Sequence, residues 1–303
     1  MTIPEPLRYG DKVAIVATAR KISPQETQPA IDMLKRWGLQ PVVQQGLYEE
    51  YNQFAGTDRH RAEMLQNALD DDSIRAIFCA RGGYGTARII DKINLSGFMQ
   101  SPKWVVGYSD VTVLHSHLHT NAHCASAHAI MPVNITDGNA DSLATSSLHD
   151  LLFATKKMRY DFDCADGTNI PGNATGQVVG GNLSILYSLI GSPSDIDTRG
   201  KILMIEDLDE YLYHIDRMML ALRRSGKLQG LKALVVGQFT DLHDNSVPFG
   251  MSIYDIVRDA VAGYDFPVCF NAPFGHIEHR NLALPLGVTA TVSVSSNSAH
   301  IEL

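Results

Sequence analysis

A lone serine stands where an apolar run meets an amphipathic one, in Val105-Val106-Gly107-Tyr108-Ser109-Asp110-Val111-Thr112. A strand that turns sharply into a helix at this point projects the Ser109 hydroxyl from the strand's C-terminal end. The helix N-terminus behind it offers unpaired backbone N–H groups to a developing anion. Nucleophile and oxyanion donor, the N–H of Asp110, would then share one turn. The same residues also read as an ordinary Ser-Asp helix cap. Arg81-Gly82-Gly83-Tyr84-Gly85 follows another apolar run, and its glycines let N–H groups approach a ligand closely. That loop suits a phosphate cradle, the second arm of an oxyanion hole, or a turn that simply needs positive φ. It lacks G-x-G-x-x-G spacing, and no G-x-x-x-x-G-K-[ST] occurs, which disfavours a nucleotide.

Glu206 and Asp207 close an otherwise apolar strand, and Asp209 and Glu210 extend the acidic run. A carboxylate at a strand's C-terminal edge orients a histidine and fixes its tautomer; solvated loop charges or helix caps are the plainer reading. His276 follows Phe274-Gly275 in a loop, where an accessible ring suits a general base. A surface histidine without a role fits the same pattern. His115, His117 and His119 invite a zinc reading, yet on a helix positions 115 and 119 share a face while 117 points away. No metal site is expected from them.

These residues need a scaffold of strands that deliver loops to one edge. Residues 12–17, 74–80 and 104–108 read as strands, and residues 24–37, 57–70 and 111–119 as helices, with a further helix through Ala87, Ile90 and Ile93. Alternation of this kind predicts an α/β fold with a parallel sheet, whose ligands sit beyond the strands' C-terminal ends. Between 134 and 172 turn formers dominate, so residues 135–172 are read as a connection between a first domain, 1–134, and a second, 173–303. In the second, a helix to residue 190, strand 202–205, helix 211–224, strand 233–237, helix 253–262 and strand 267–270 lead to edge or barrel strands at 290–294 and 300–303.

The chain has 303 residues, 45% hydrophobic and 19% charged, as expected of a soluble globular protein with room for two cores. Its 25 basic and 33 acidic residues leave a net charge of −8, and no basic cluster exceeds Arg223-Arg224, which argues against nucleic acid or an anionic membrane as partner. The N-terminus lacks the basic start and apolar core of a secretory signal, and no apolar run approaches a membrane span, so a cytoplasmic protein is expected. Cys79, Cys124, Cys164 and Cys269 are scattered, with no C-x-x-C pair, and read as buried thiols.

Taken in order, residues 81–85, 107–112, 180–183, 205–210 and 274–287 resemble the motif set of the LD-carboxypeptidase family of serine peptidases. The resemblance implies a Rossmann-like parallel-sheet domain carrying the nucleophile, followed by an α/β domain with a β-sheet or barrel core carrying acid and base. It implies a Ser109, Glu206, His276 triad and an oxyanion hole from the N–H groups of Asp110 and the Gly82-Gly83 turn. It also implies release of terminal D-alanine from a murein tetrapeptide, no cofactor, and a homodimer. Arg81 is the nearest cation for the substrate's carboxylate, although it would equally brace the loop. Three departures from the family pattern stand out: Ala17-Thr18-Ala19 where many relatives have Pro-Ser, His128-Ala129-Ile130 in place of a His-Gly-Pro-like segment, and a less regular 274–280. The rival readings are a peptidyl-nucleotide antibiotic hydrolase of the same family, a non-catalytic anion-binding protein, and a metal hydrolase using His115 and His119.

Overall fold

The computed structural model describes residues 1–164, 167–277 and 279–303. Along the chain come β1 (Lys12–Val16), α1 (Pro24–Arg36), β2 (Gln40–Val43), α2 (Asp58–Asp70), β3 (Ile74–Cys79), α3 (Ser96–Gln100), β4 (Trp104–Gly107), α4 (Thr112–Asn121), β5 (Ser126–His128) and α5 (Leu143–Phe153). They are followed by β6 (Arg159–Asp163), β7 (Gly172–Asn182), α6 (Leu183–Ser188), β8 (Ile202–Leu208), α7 (Leu212–Arg224), β9 (Ala233–Thr240) and α8 (Ile253–Ala260). Last are β10 (Val268–Cys269), β11 (Leu284–Leu286), β12 (Thr289–Val294) and β13 (Ser298–Glu302). Two compact units result, one of Met1–Lys156 with His279–Gly287, the other of Lys157–Glu278 with Val288–Leu303.

The first unit is built on a sheet of order β11-β5-β4-β3-β1-β2, parallel except for β11, which runs antiparallel to β5. Its central strands are apolar without alternation because helices or loops cover both faces, and Val13 to Val16 and Ala76 to Cys79 are buried throughout. Capping fixes where the helices start. Ser23 accepts from the N–H of Glu26 while the Glu26 carboxylate accepts from the N–H of Ser23, and Pro24 opens the first turn. Thr57 accepts from His60 in the same way before α2.

The expected helix through Ala87, Ile90 and Ile93 is instead a pair of 3₁₀ turns, Thr86–Arg88 and Ile90–Lys92. Ile89 and Ile90 face the core, while Ala87 is exposed. The three-residue spacing that reads as helical is served as well by successive i→i+3 turns. Within the stretch read as a connection, α5 belongs to the first unit, and residues 284–286 return to that unit as its edge strand.

The second unit has a sheet of order β10-β9-β8-β7-β12-β13-β6. Of the two expected forms, sheet or barrel, it takes the open sheet. β7 to β10 are parallel, and β7 also pairs antiparallel with β12. The glycine-rich residues 172–182 make the long strand β7, where the glycines supply close approach. A Cβ at Gly180 would fall 1.9 Å from the carbonyl oxygen of Met204 on β8.

Among the described residues no helix is long and apolar enough to cross a membrane. All four cysteines are free; Cys79, Cys124 and Cys269 are buried and Cys164 half-buried. Burial pushes the thiols of Cys79 and Cys124 up to about 12, so neither is a thiolate near neutrality.

Candidate active site

In the first unit, β4 ends at Gly107 and the chain reverses through Tyr108 into a 3₁₀ turn, Ser109–Val111, that runs into α4. Ser109 has a φ of 63°, in the left-handed region that L-residues seldom occupy. Strain of this kind persists only where the surroundings enforce it, and here the strand and helix do. Gly107 lets them meet, since a Cβ there would lie 2.9 Å from a Val111 methyl. The Gly107 carbonyl accepts from the N–H of Ala129, 3.1 Å away, and lies 2.9 Å from His115 Nε2. The N–H of Asp110 lies in the first helical turn, where no intrahelical acceptor exists.

The glycine-rich loop lies against this elbow. A Cβ at Gly82 would come within 3.1 Å of the Ser109 Cβ and 3.2 Å of its Oγ. Asp110 ties the two segments together: its buried carboxylate accepts the N–H of Thr86 at 2.9 Å, and the Thr86 hydroxyl donates to Thr18 at 2.8 Å. Burial raises the pKa of Asp110, against the bonds from the Thr86 segment. Thr18 stands in the Ala17-Thr18-Ala19 segment, and its hydroxyl accepts the bond from Thr86. Arg61, wholly buried on α2, donates to the carbonyls of Thr18 at 2.6 Å and Gly85 at 3.0 Å and is paired with Asp58. It braces the loops after β1 and β3 from below. An arginine on an amphipathic helix gives no sequence signal of such a role. Arg81 is held by Glu26 at 3.2 Å, on the capping box of α1.

The three helical histidines serve the first unit's packing. His115 is fully buried, and burial lowers its pKa to about 3, against its bond to the Gly107 carbonyl. His117 Nδ1 lies 3.2 Å from the Asn121 amide, and His119 Nε2 lies 3.2 Å from the Ser126 hydroxyl. Among the described residues no cluster of three or more His, Cys, Asp or Glu could hold a metal ion. His128 is buried with its ring edge-on to Tyr108.

The second unit brings Glu206 and His276 together. His276 Nδ1 lies 2.8 Å from Glu206 Oε2, with the Glu206 side chain fully buried and the ring 14% exposed. Pairing of β8 with β9 shifts register between Ile205 and Asp207, so Glu206 sits on a bulge, the device by which a strand re-aims one side chain. Two glycines make room around it. A Cβ at Gly275, whose φ is 115°, would lie 2.9 Å from Glu206 Oε2, and one at Gly237 would lie 3.2 Å from Glu206 Cβ. The His276 loop is stitched to the end of β9: the N–H of Gln238 donates to the carbonyl of Phe274 at 2.9 Å, and the Thr240 hydroxyl donates to that of His276 at 3.3 Å.

With Nδ1–H donating to Glu206, the lone pair is left on Nε2, the tautomer a general base needs. Burial opposes charge on His276, but the Glu206 carboxylate overrides it, and the pKa of the ring ends above its ordinary value. Asp207, beside Glu206, has a different task. It accepts from the side-chain amide of Asn182 and the N–H of Ser184, each at 2.8 Å, anchoring the start of α6. Burial and the Glu206 charge push Asp207 up to about 7.

The LD-carboxypeptidase N-terminal domain pattern matches residues 13–129, and the C-terminal domain pattern residues 175–292. The chain is 35% identical to the probable murein peptide carboxypeptidase of Bacillus subtilis, over 99% of its own length and 94% of the relative's. It is 27% identical to the murein tetrapeptide carboxypeptidase of Pseudomonas aeruginosa, over 93% and 92%. The crystal structure of muramoyltetrapeptide carboxypeptidase from Oxalobacter formigenes superposes with a TM-score of 0.85 at 26% identity, covering 96% of this chain and 98% of that one. With both domain patterns matched in order and the relatives covered nearly end to end, the chain belongs to the LD-carboxypeptidase family.

Proposed function

We propose that the chain is a serine carboxypeptidase that releases the terminal D-alanine of murein tetrapeptides, with Ser109 as nucleophile, His276 as base and Glu206 as the carboxylate that orients it. The observation that carries the assignment of the nucleophile is the left-handed Ser109 elbow with Gly82 against it, a backbone conformation that costs strain in an L-residue. The murein carboxypeptidases among its relatives support the substrate.

In this mechanism Ser109 Oγ attacks the scissile carbonyl and passes its proton to His276 Nε2. The imidazolium that forms is stabilised by the Glu206 carboxylate, which stays ionised. The N–H groups of Asp110 and Gly83 receive the oxyanion. His276 then protonates the leaving amine, D-alanine departs, and water repeats the sequence in reverse on the acyl-enzyme. The free cysteines and acidic composition accord with a cytoplasmic enzyme, and the family resemblance extends the proposal to a homodimer.

The test is mass spectrometry of an L,D-tetrapeptide incubated with wild type and with Ser109→Ala. Loss of one alanine is expected with wild type, and a rate lower by roughly 10³-fold or more with the variant. Wild-type turnover by folded Ser109→Ala would end the serine mechanism.

A further inference from the structure

A carboxypeptidase must recognise the free carboxylate next to the bond it cuts, and the cations around the Ser109 elbow differ in whether they have one to spare. On the loops after β1 and β3, Lys21 pairs with Glu50 at 2.5 Å, Arg81 with Glu26 at 3.2 Å, and Arg88 with Asp58 at 2.8 Å. Arg20 is exposed and has no carboxylate partner among the described residues.

Its position is fixed by backbone. The N–H of Arg20 donates to the carbonyl of Gly82, at 3.4 Å, and the residue bridges antiparallel to Phe54. Its side chain then lies across Gly83. A Cβ at Gly83 would fall 2.6 Å from the Arg20 Cδ and 2.8 Å from its Nε, so the glycine provides the berth for the arginine as well as an N–H. Ser109 and Arg20 thus flank consecutive residues: Gly82 touches the serine and Gly83 touches the arginine.

We propose that Arg20 binds the substrate's terminal carboxylate and gives the enzyme its preference for a free C-terminus. This rests on the serine carboxypeptidase reading above. In the substrate, the terminal carboxylate carbon lies three bonds beyond the scissile carbonyl carbon, one residue's reach, and Cα atoms one residue apart are about 3.8 Å apart. Along Gly82-Gly83 the contact with the Ser109 side chain and the contact with the Arg20 side chain are likewise one residue apart. A planar guanidinium with a forked pair of donors matches a carboxylate, and it enters the site without first breaking an ion pair.

The experiment measures kcat/KM of wild type, Arg20→Gln and Arg20→Lys on a tetrapeptide ending in free D-alanine and on its C-terminal amide. In parallel, calorimetry measures binding of both peptides to Ser109→Ala with and without Arg20→Gln. Arg20→Gln is expected to lower kcat/KM for the free acid by roughly 10²-fold, mostly through KM, and to weaken acid binding similarly. The acid-to-amide ratio should fall towards one, with Arg20→Lys intermediate. An unchanged ratio in both turnover and binding overturns the proposal even if wild type is active. Absence of tetrapeptide cleavage by wild type would instead overturn the carboxypeptidase reading, while the binding arm still judges Arg20.

Discussion

Glu206 raises the pKa of His276 against a burial that would lower it, and this opposition makes the pair testable without disturbing the fold. Glu206→Gln removes the charge and keeps the shape. Burial then prevails, so the pKa of His276 should fall, and the rising limb of kcat/KM against pH should move to lower pH. The maximal rate should also drop, by roughly 10²- to 10⁴-fold, because the imidazolium loses its counter-charge. A limb that stays in place would show that the base titrating in the reaction is not the one Glu206 holds. A separate residue-scale expectation concerns Gly82→Ala, whose methyl would press on the Ser109 Cβ and Oγ at about 3.1 to 3.2 Å. Circular dichroism should remain that of wild type while kcat falls by roughly an order of magnitude or more, since a misplaced nucleophile costs rate steeply. A folded Gly82→Ala with wild-type kcat would argue that the loop has slack.

At the scale of elements, α4 holds the elbow from behind through His115, and its chemistry sets a pH dependence of stability. The folded-state pKa of His115 is about 3 against an ordinary 6.5, so the neutral ring is the native form. Its contribution is full above pH 6.5 and is lost progressively as pH falls towards 3, because the unfolded state takes up a proton that the folded state refuses. The thermal midpoint should therefore decline between pH 7.5 and 5. His115→Gln retains an N–H for the Gly107 carbonyl and does not titrate, so its decline should be shallower. Parallel curves for the two proteins would assign the acid sensitivity elsewhere.

For the molecule as a whole, the final quarter of the chain is shared. Residues 284–286 complete the first sheet by pairing with β5, and β12 and β13 carry the second sheet outward from β7 to β6. Ending the chain after residue 277 removes strands from both sheets while leaving Ser109, Glu206 and His276 in place. Such a protein should fail to show a cooperative thermal transition, and its apolar faces, including those that bury Leu286 and Val292, should bind a hydrophobic dye. A sharp transition near that of the full chain would mean that these strands are dispensable trimming.

The sequence alone determined the parallel α/β character of the first unit, because buried parallel strands must be apolar and their helices must be capped, and Ser23, Thr57 and the runs at 12–17 and 74–80 carry those signals locally. It also marked Ser109, Glu206 and His276, since a serine, an acid and a histidine at strand ends are legible as types. What the types could not convey was partnership. Whether Glu206 or Asp207 holds His276 depends on one bulge in β8 and on bare glycines at 237 and 275. That Arg81 is held by Glu26, that Arg61 lies beneath two loops, and that the glycines of β7 form a strand all depend on residues distant in the chain. Periodicity reports which face of an element is buried, whereas the choice of hydrogen-bond and ion-pair partners is made only when separate elements meet.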